Sequence, residues 1–310
     1  MIEVENLNKQ FGSVQAVKNA SFQIQKGEVL GFLGPNGAGK TTTMRIITCF
    51  IPATTGKIRI DGLDIHEHDL EVRKKIGYLP ENAPLYNDMT VDEYMRFVAE
   101  IRGLSGDALD SRIKEMYLVC GLAKMSQRQI GKLSKGYRQR VGLAQAMIHN
   151  PDILILDEPM SGLDPNQIVE IRQLIKRLGE KITVIYCSHI LSEVSATCSR
   201  ILIINNGSIV ASGTPAELTA KAGSGKRYFM TVQADRNALE SNLPQVEGVT
   251  NLTLNETGGG WFEAAVFLDT EQEIGDKLFK CAVDNGWTLS ELKRETASLE
   301  DVFTRLTRGE

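Results

Sequence analysis

The sequence predicts an α/β chain: a mostly parallel sheet with added antiparallel strands and an inserted helical subdomain, followed by a small α+β domain. Three observations predict it. Strand-like and helix-like segments alternate between residues 151 and 204. A glycine-rich turn joins a continuous apolar strand to a helix start. A second, separate rhythm of strands and helices occupies the last 85 or so residues.

Each element has its own signal. Residues 2–7 alternate apolar and polar, as a half-buried strand does, and so do 21–25 and 57–61. Val29-Leu30-Gly31-Phe32-Leu33 is a continuous apolar strand, and residues 41–50 read as a helix ended by Pro52 and the Thr54-Thr55-Gly56 cluster. Between 90 and 150 the character changes. Thr90 followed by Glu93 is a capping-box pattern that predicts a helix to about 102. Helical patterns follow at 107–120 and from Ser134 to His149. This stretch, about 82–150, reads as a helical subdomain. Then come strand 153–156, helix 166–178, strand 182–187, helix 190–198 and strand 200–204. Such alternation implies a parallel sheet with helices on its faces.

Gly223-Ser224-Gly225 reads as a short linker dividing a domain at 1–222 from one at 226–310. The second domain is expected to run strand 228–233, helix 236–242, strand 249–255, strand 261–268, helix 271–285, strand 288–294 and helix 298–307. Its βαββαβ core is the split-βαβ, ferredoxin-like arrangement.

Composition narrows the function. The apolar fraction is 42% and the charged fraction 24%, within the range of ordinary globular chains. The formal net charge is −4, and residues 222–310 carry nine Lys or Arg against 15 Asp or Glu. The first part is therefore nearly neutral and the tail acidic. That distribution argues against nucleic acid as a partner, which calls for a clustered basic face. No apolar run approaches the roughly 18 residues of a membrane span, and Met1-Ile2-Glu3-Val4-Glu5 lacks the regions of a signal peptide. Five scattered cysteines without a Cys-x-x-Cys pair suggest reduced thiols rather than a disulfide frame or zinc site. His66-Glu67-His68, in a polar stretch, reads as solvated surface.

The segment Gly34-Pro35-Asn36-Gly37-Ala38-Gly39-Lys40-Thr41 fits G-x-x-x-x-G-K-[ST] in the context the motif demands, strand before and helix after. Its glycines let backbone N–H groups close around phosphate oxygens, and the following helix points its positive end at the same anion. Lys40 can reach the β- and γ-phosphates and Thr41 can offer its hydroxyl to Mg²⁺. Thr42, next along the helix start, is counted with the nucleotide-binding residues. Ile153-Leu154-Ile155-Leu156-Asp157-Glu158 is a buried strand ending in two carboxylates near the phosphate loop. Asp157 is expected to hold Mg²⁺, directly or through water. Glu158 is expected to accept a proton from the attacking water or to orient it. Ser134, in Leu133-Ser134-Lys135-Gly136-Tyr137-Arg138-Gln139-Arg140, is a sensible helix N-cap.

The phosphate loop, this Ser134 segment, the Asp-Glu strand, Ser161-Gly162-Leu163-Asp164 and His189 occur in that order. Together, over about residues 1–220, they resemble the nucleotide-binding subunit of the ATP-binding cassette (ABC) family. The resemblance implies a P-loop NTPase fold of the ABC type that binds and hydrolyses ATP with Mg²⁺. It implies further roles for matching positions. Phe11 stacks on adenine. Ser134 and Gly136 contact the γ-phosphate held by a second cassette. Asp164 communicates across the dimer, and His189 contacts the γ-phosphate. Glu81 approaches Mg²⁺ where the family usually has glutamine. Lys135 and Tyr137 depart from the common glycine and glutamine of the signature. Pro84-Leu85-Tyr86-Asn87-Asp88-Met89 resembles the surface that meets a membrane partner. The ending Ser298-Leu299-Glu300-Asp301-Val302-Phe303-Thr304-Arg305-Leu306 resembles bacterial export-type cassettes of the drug-resistance, sodium-extrusion and gliding-motility kinds. The implied partners are a second copy of the chain and a separate multi-span permease subunit, with the chain on the inner face of the cell membrane. The alternative from another class is an ABC ATPase that acts on ribosomes or DNA without a transporter.

Overall fold

The computed structural model describes residues 1–221, 227–268, 273–295 and 299–308, and the chain divides into two compact units, Met1–Thr214 and Pro215–Glu310. The Gly223-Ser224-Gly225 segment lies outside the described residues.

The first unit opens with β1 (Ile2–Phe11), β2 (Val14–Ile24), β3 (Val29–Leu33) and α1 (Lys40–Ile47). β4 (Thr55–Ile60), β5 (Leu63–Asp64), α2 (Asp69–Lys75) and β6 (Ile76–Leu79) follow. The helical stretch comprises α3 (Val91–Ile101), α4 (Gly106–Cys120) and α5 (Lys135–Met147). β7 (Ile153–Asp157), α6 (Pro165–Gly179), β8 (Thr183–Ser188), α7 (Leu191–Thr197), β9 (Arg200–Asn205) and β10 (Ser208–Gly213) complete it.

These strands form two sheets. An antiparallel sheet has the order β2-β1-β4-β5. The other has the order β10-β9-β3-β8-β7-β6; it is parallel except for β10, which runs antiparallel to β9. Ile2, Leu7, Ile24 and Ile58 from the first sheet share one core with Phe32, Ile155, Cys187 and Leu202 from the second and with Met44 and Ile47 of α1. Strands β7 and β8 are buried at every position. That explains why their sequences are apolar runs and not alternations. At the start of α3 the expected capping box is present: Thr90 N–H donates to Glu93 Oε2 at 2.7 Å, and Glu93 N–H donates to Thr90 Oγ1 at 3.2 Å.

Several boundaries differ from expectation. The helix expected over 41–50 ends at Ile47. Thr48 caps it, and Cys49 takes a left-handed φ of 56° that turns the chain toward β4. The short elements α2, β5, β6 and β10 had no clear sequence signal. β6 sits at the edge of its sheet, is four residues long, and owes its place to pairing with β7.

The second unit contains α8 (Pro215–Lys221), β11 (Arg227–Gln233), α9 (Arg236–Asn242), β12 (Val249–Gly258), β13 (Trp261–Leu268), α10 (Gly275–Asp284), β14 (Thr288–Glu295) and α11 (Leu299–Arg308). Its sheet order is β12-β13-β11-β14, with every pair antiparallel. This is the ferredoxin-like arrangement, the strand between two parallel neighbours being supplied later in sequence. Tyr228, Met230 and Val232 on β11 and Phe262, Ala264 and Val266 on β13 face one core at a spacing of two, where Leu239 of α9 and Leu278 of α10 meet them. α8 lies against α11. The helix expected over 271–285 begins at Gly275; residues 271 and 272, and residue 298 of the last expected helix, lie outside the described residues.

Candidate functional site

The phosphate loop is shaped by backbone approaches that exclude a side chain. A Cβ on Gly34 would lie 2.3 Å from the Ile204 carbonyl oxygen of β9. Gly39 has φ of 106°, a conformation side chains rarely adopt, and a Cβ there would lie 2.5 Å from the Ala16 carbonyl oxygen of β2. The loop is braced by Gly207, whose N–H donates to Ala38 O at 3.0 Å and whose carbonyl accepts from Lys18 N at 2.7 Å. Gly39 leads directly into α1, which has no acidic residue in its first turn and no side-chain cap. Its leading N–H groups and dipole therefore face the cleft as an anion site.

Lys40 is 6% exposed, and its ammonium donates to Gly34 O at 2.8 Å and to Pro35 O at 3.2 Å. It also stands 3.6 Å from Glu158 Oε1. Glu158 follows β7 with a left-handed φ of 49°, held by its N–H bond to Cys187 O at 3.0 Å. This backbone turns its carboxylate back toward Lys40. The Oε2 atom lies 3.0 Å from His189 Nδ1 and 3.3 Å from Ser188 Oγ, while Oε1 has no hydrogen-bond partner.

Asp157, at the end of β7, is fully buried, and neither of its carboxylate oxygens has a hydrogen-bond partner. Burial pushes its carboxyl above the usual range, with the Thr41 hydroxyl opposing and the Glu158 charge adding to the rise. A buried carboxylate with both oxygens free fits a divalent cation, which would supply the missing counter-charge.

An open cleft of about 520 Å³ gathers these groups. Asn36, Gly37, Gly39, Lys40, Thr41 and Thr42 line it together with Glu81, Glu158, Ser161, His189 and Ala16. Gly34 and Ala38 are buried within the loop, and Pro35 contributes its carbonyl to Lys40. Glu81 also lines a second cleft of about 660 Å³, which Lys135, Arg138 and Asn87 share. It thus stands between the phosphate loop and the start of α5.

Four expected residues lie elsewhere. Ser134 caps α5, its Oγ accepting from Tyr137 N at 3.4 Å, and lies outside the Lys40 cleft. Gly136 is also outside it and faces α6: a Cβ there would be 2.4 Å from Gln167 Oε1. Asp164 caps that same helix, accepting from Gln167 N at 3.0 Å. Phe11, at the end of β1, is 49% exposed, with Lys9 Nζ 4.9 Å from its ring centre, and it too lies outside the cleft. Sequence reasoning missed Ala16, a small apolar residue in β2 with no motif to mark it. It also missed Ser188 and the buried Glu193 and Tyr186 behind Glu158. A polar side chain within an otherwise apolar strand was the signal for Tyr186 and Ser188.

Comparison with known proteins finds relatives over the whole chain. A family model described as ABC transporter matches residues 17–161. The chain is 32% identical to the linearmycin resistance ATP-binding protein LnrL of Bacillus subtilis, over 99% of this chain and 98% of that protein. It is also 32% identical to the bacitracin transport ATP-binding protein BcrA of Bacillus licheniformis, over 100% of this chain and 98% of that one. Among solved structures, a dimeric bacterial ABC transporter cassette matches with a TM-score of 0.64 at 28% identity, covering 69% of this chain and 98% of that one. The same cassette in a post-hydrolysis state bound to ADP and Pi matches with a TM-score of 0.64 at 27% identity, over 69% of this chain and 98% of that one.

Proposed function

We propose that this chain, which belongs to the ABC transporter family of ATP-binding proteins, hydrolyses ATP to energise a bacterial membrane exporter. One observation carries the reading: Glu158, with Oε1 3.6 Å from Lys40 and Oε2 on His189, lines the same cleft as the phosphate loop. A carboxylate so placed accepts the proton of an attacking water, or orients that water, beside the γ-phosphate that Lys40 and the α1 N-terminus hold. His189, hydrogen-bonded to Glu158 Oε2, presents its other ring nitrogen to the same phosphate. Thr41 and Asp157 would hold Mg²⁺, with Glu81 at the same cleft; bound there, the ion neutralises charge on the β- and γ-phosphates.

Within one chain Ser134 and Gly136 lie outside the Lys40 cleft. The reading therefore requires a second copy, whose Ser134 segment closes the first copy's site while the first closes the second's. Closure on two ATP molecules supplies the motion and hydrolysis resets it. No helix among the described residues is long and apolar enough to cross a membrane, so a separate multi-span subunit carries the pathway. Relatives named for linearmycin resistance and bacitracin transport support export. The chain then sits on the inner face of the membrane.

The test is Glu158→Gln. Turnover should fall by about a thousandfold or more, while ATP binding persists and a dimer accumulates on a sizing column with ATP. Wild-type turnover in this variant would remove Glu158 from the chemistry. Detergent extraction should bring down a multi-span membrane protein with the chain; recovery with ribosomes instead would overturn the exporter reading.

A further inference from the structure

Behind Glu158 lies a second buried carboxylate. Glu193 is 7% exposed on α7, and its Oε2 accepts from Tyr186 OH at 2.6 Å and from Ser188 Oγ at 3.1 Å. Tyr186 and Ser188 are themselves fully buried on β8, spaced two apart and so on the same side of the strand. The Ser188 hydroxyl oxygen accepts from Ile190 N–H at 3.1 Å. That bond occupies a lone pair and leaves the single hydroxyl proton shared, as a three-centre bond, between Glu193 Oε2 at 3.1 Å and Glu158 Oε2 at 3.3 Å. A continuous polar line therefore runs Tyr186–Glu193–Ser188–Glu158 through an otherwise apolar layer.

Close packing keeps the line short. A Cβ on Gly31 of β3 would lie 2.2 Å from Val194 Cγ1, next in sequence to Glu193, so only glycine at 31 lets α7 approach β3 this closely. The plain alternative is that Glu193 caps its helix. It occupies the third position of α7, where an acidic residue favours the helix dipole. In a capping box its carboxylate would take the N–H of Ile190; here that N–H goes to Ser188 Oγ. The carboxylate is spent on the two hydroxyls instead.

We propose that Glu193 is a positioning residue for Glu158, acting through Ser188. Glu193, itself held by the Tyr186 hydroxyl, fixes the Ser188 side chain so that its shared proton stays within reach of Glu158 Oε2. With His189 on the same atom, that pins one carboxylate oxygen and leaves Oε1, 3.6 Å from Lys40 Nζ and without a hydrogen-bond partner, as the atom that would meet water. The proposal rests on the assignment of Glu158 as the group that handles the water.

The experiment measures steady-state ATP hydrolysis and equilibrium ATP binding for the full chain carrying Glu193→Ala, Ser188→Ala, both together, and Glu193→Gln. Glu193→Ala and Ser188→Ala should each lower kcat about tenfold, with KM and ATP affinity within about twofold of the parent. The double variant should be no slower than the slower single one, because both act along one line. Glu193→Gln keeps an oxygen acceptor for both hydroxyls and should recover most of the rate. Unchanged kcat in Glu193→Ala, or losses that multiply in the double variant, would overturn the proposal. If Glu193→Ala does not fold, Glu193→Gln and Tyr186→Phe decide it: a slow Glu193→Gln with normal Tyr186→Phe refutes the hydroxyl line. Glu158→Gln separates the two readings. Full activity there sinks the base assignment itself. A dead Glu158→Gln beside a fully active Glu193→Ala sinks only the positioning role.

Discussion

At the residue scale, Asp157 is informative through its burial. It is buried, both oxygens lack partners, and burial raises its pKa. A raised carboxyl pKa means the folded state holds the proton more tightly than the unfolded chain. Metal-free stability should then fall as pH rises from the ordinary carboxylate range through the raised folded value. Asp157→Asn should remove that slope and raise the metal-free melting temperature near neutral pH, because an unpaired buried charge is gone. The same change should abolish Mg²⁺-dependent hydrolysis. A lower melting temperature in the variant would count against this account. Asp157 and Glu158 were legible as residues because an apolar run ending in two carboxylates is conspicuous beside a phosphate loop. What sequence left open was which oxygen faces what. The left-handed φ of Glu158 decides that, and no local signal marks it.

At the element scale, helix starts do different work from one another. Thr90 and Ser134 both cap helices with a side-chain oxygen. Thr90→Ala should cost about 1 kcal/mol of stability, with turnover per folded molecule unchanged. Ser134→Ala should cost a similar amount yet also slow turnover, because the proposed partner site loses a phosphate contact. Denaturant titration paired with ATPase assay separates the two, and equal turnover in both variants would leave Ser134 as a cap alone. Next to the C-terminal end of α5, burial lowers the pKa of His149 to about 4, while its ring nitrogen lies 3.0 Å from Ile76 O of β6. The unfolded chain therefore takes up a proton first. Stability should decline as pH falls below about 6.5, the ordinary histidine value, and level off near 4; His149→Gln should flatten that decline in urea titrations. The helices α3, α4 and α5 were legible from caps and periodicity. β6 and β10 were not, since a short strand's identity lies in the partner it pairs with.

At the scale of the whole molecule, the two units have separate cores, one built around both sheets of the first unit and one around the β11–β13 face. A chain ending at Thr214 keeps every residue of the Lys40 cleft, so it should fold and bind ATP with about the affinity of the full chain. The cut belongs there rather than at the glycine-rich segment, because α8 lies against α11 in the second unit. A folded truncation that no longer binds nucleotide would mean the second unit contributes to the site. We propose a supporting or regulatory role for that unit, which supplies none of the motif residues.

The sequence by itself determined the chemistry that depends on residues close together along the chain. The proposed phosphate cradle at Gly34 to Thr42 was legible because strand, turn and helix start are local, and the βα rhythm implied the parallel sheet that such a cradle requires. Only the tertiary structure decided what depends on distant segments meeting. It set Lys40 3.6 Å from Glu158, 118 positions later. It left Ser134 and Gly136 outside the cleft of their own chain, and it laid Tyr186, Glu193 and Ser188 in a line behind the carboxylate. The physical reason is that hydrogen bonds and charge act over a few ångströms of space, and parallel strands β3, β7 and β8 bring their ends to one edge irrespective of the length of chain between them.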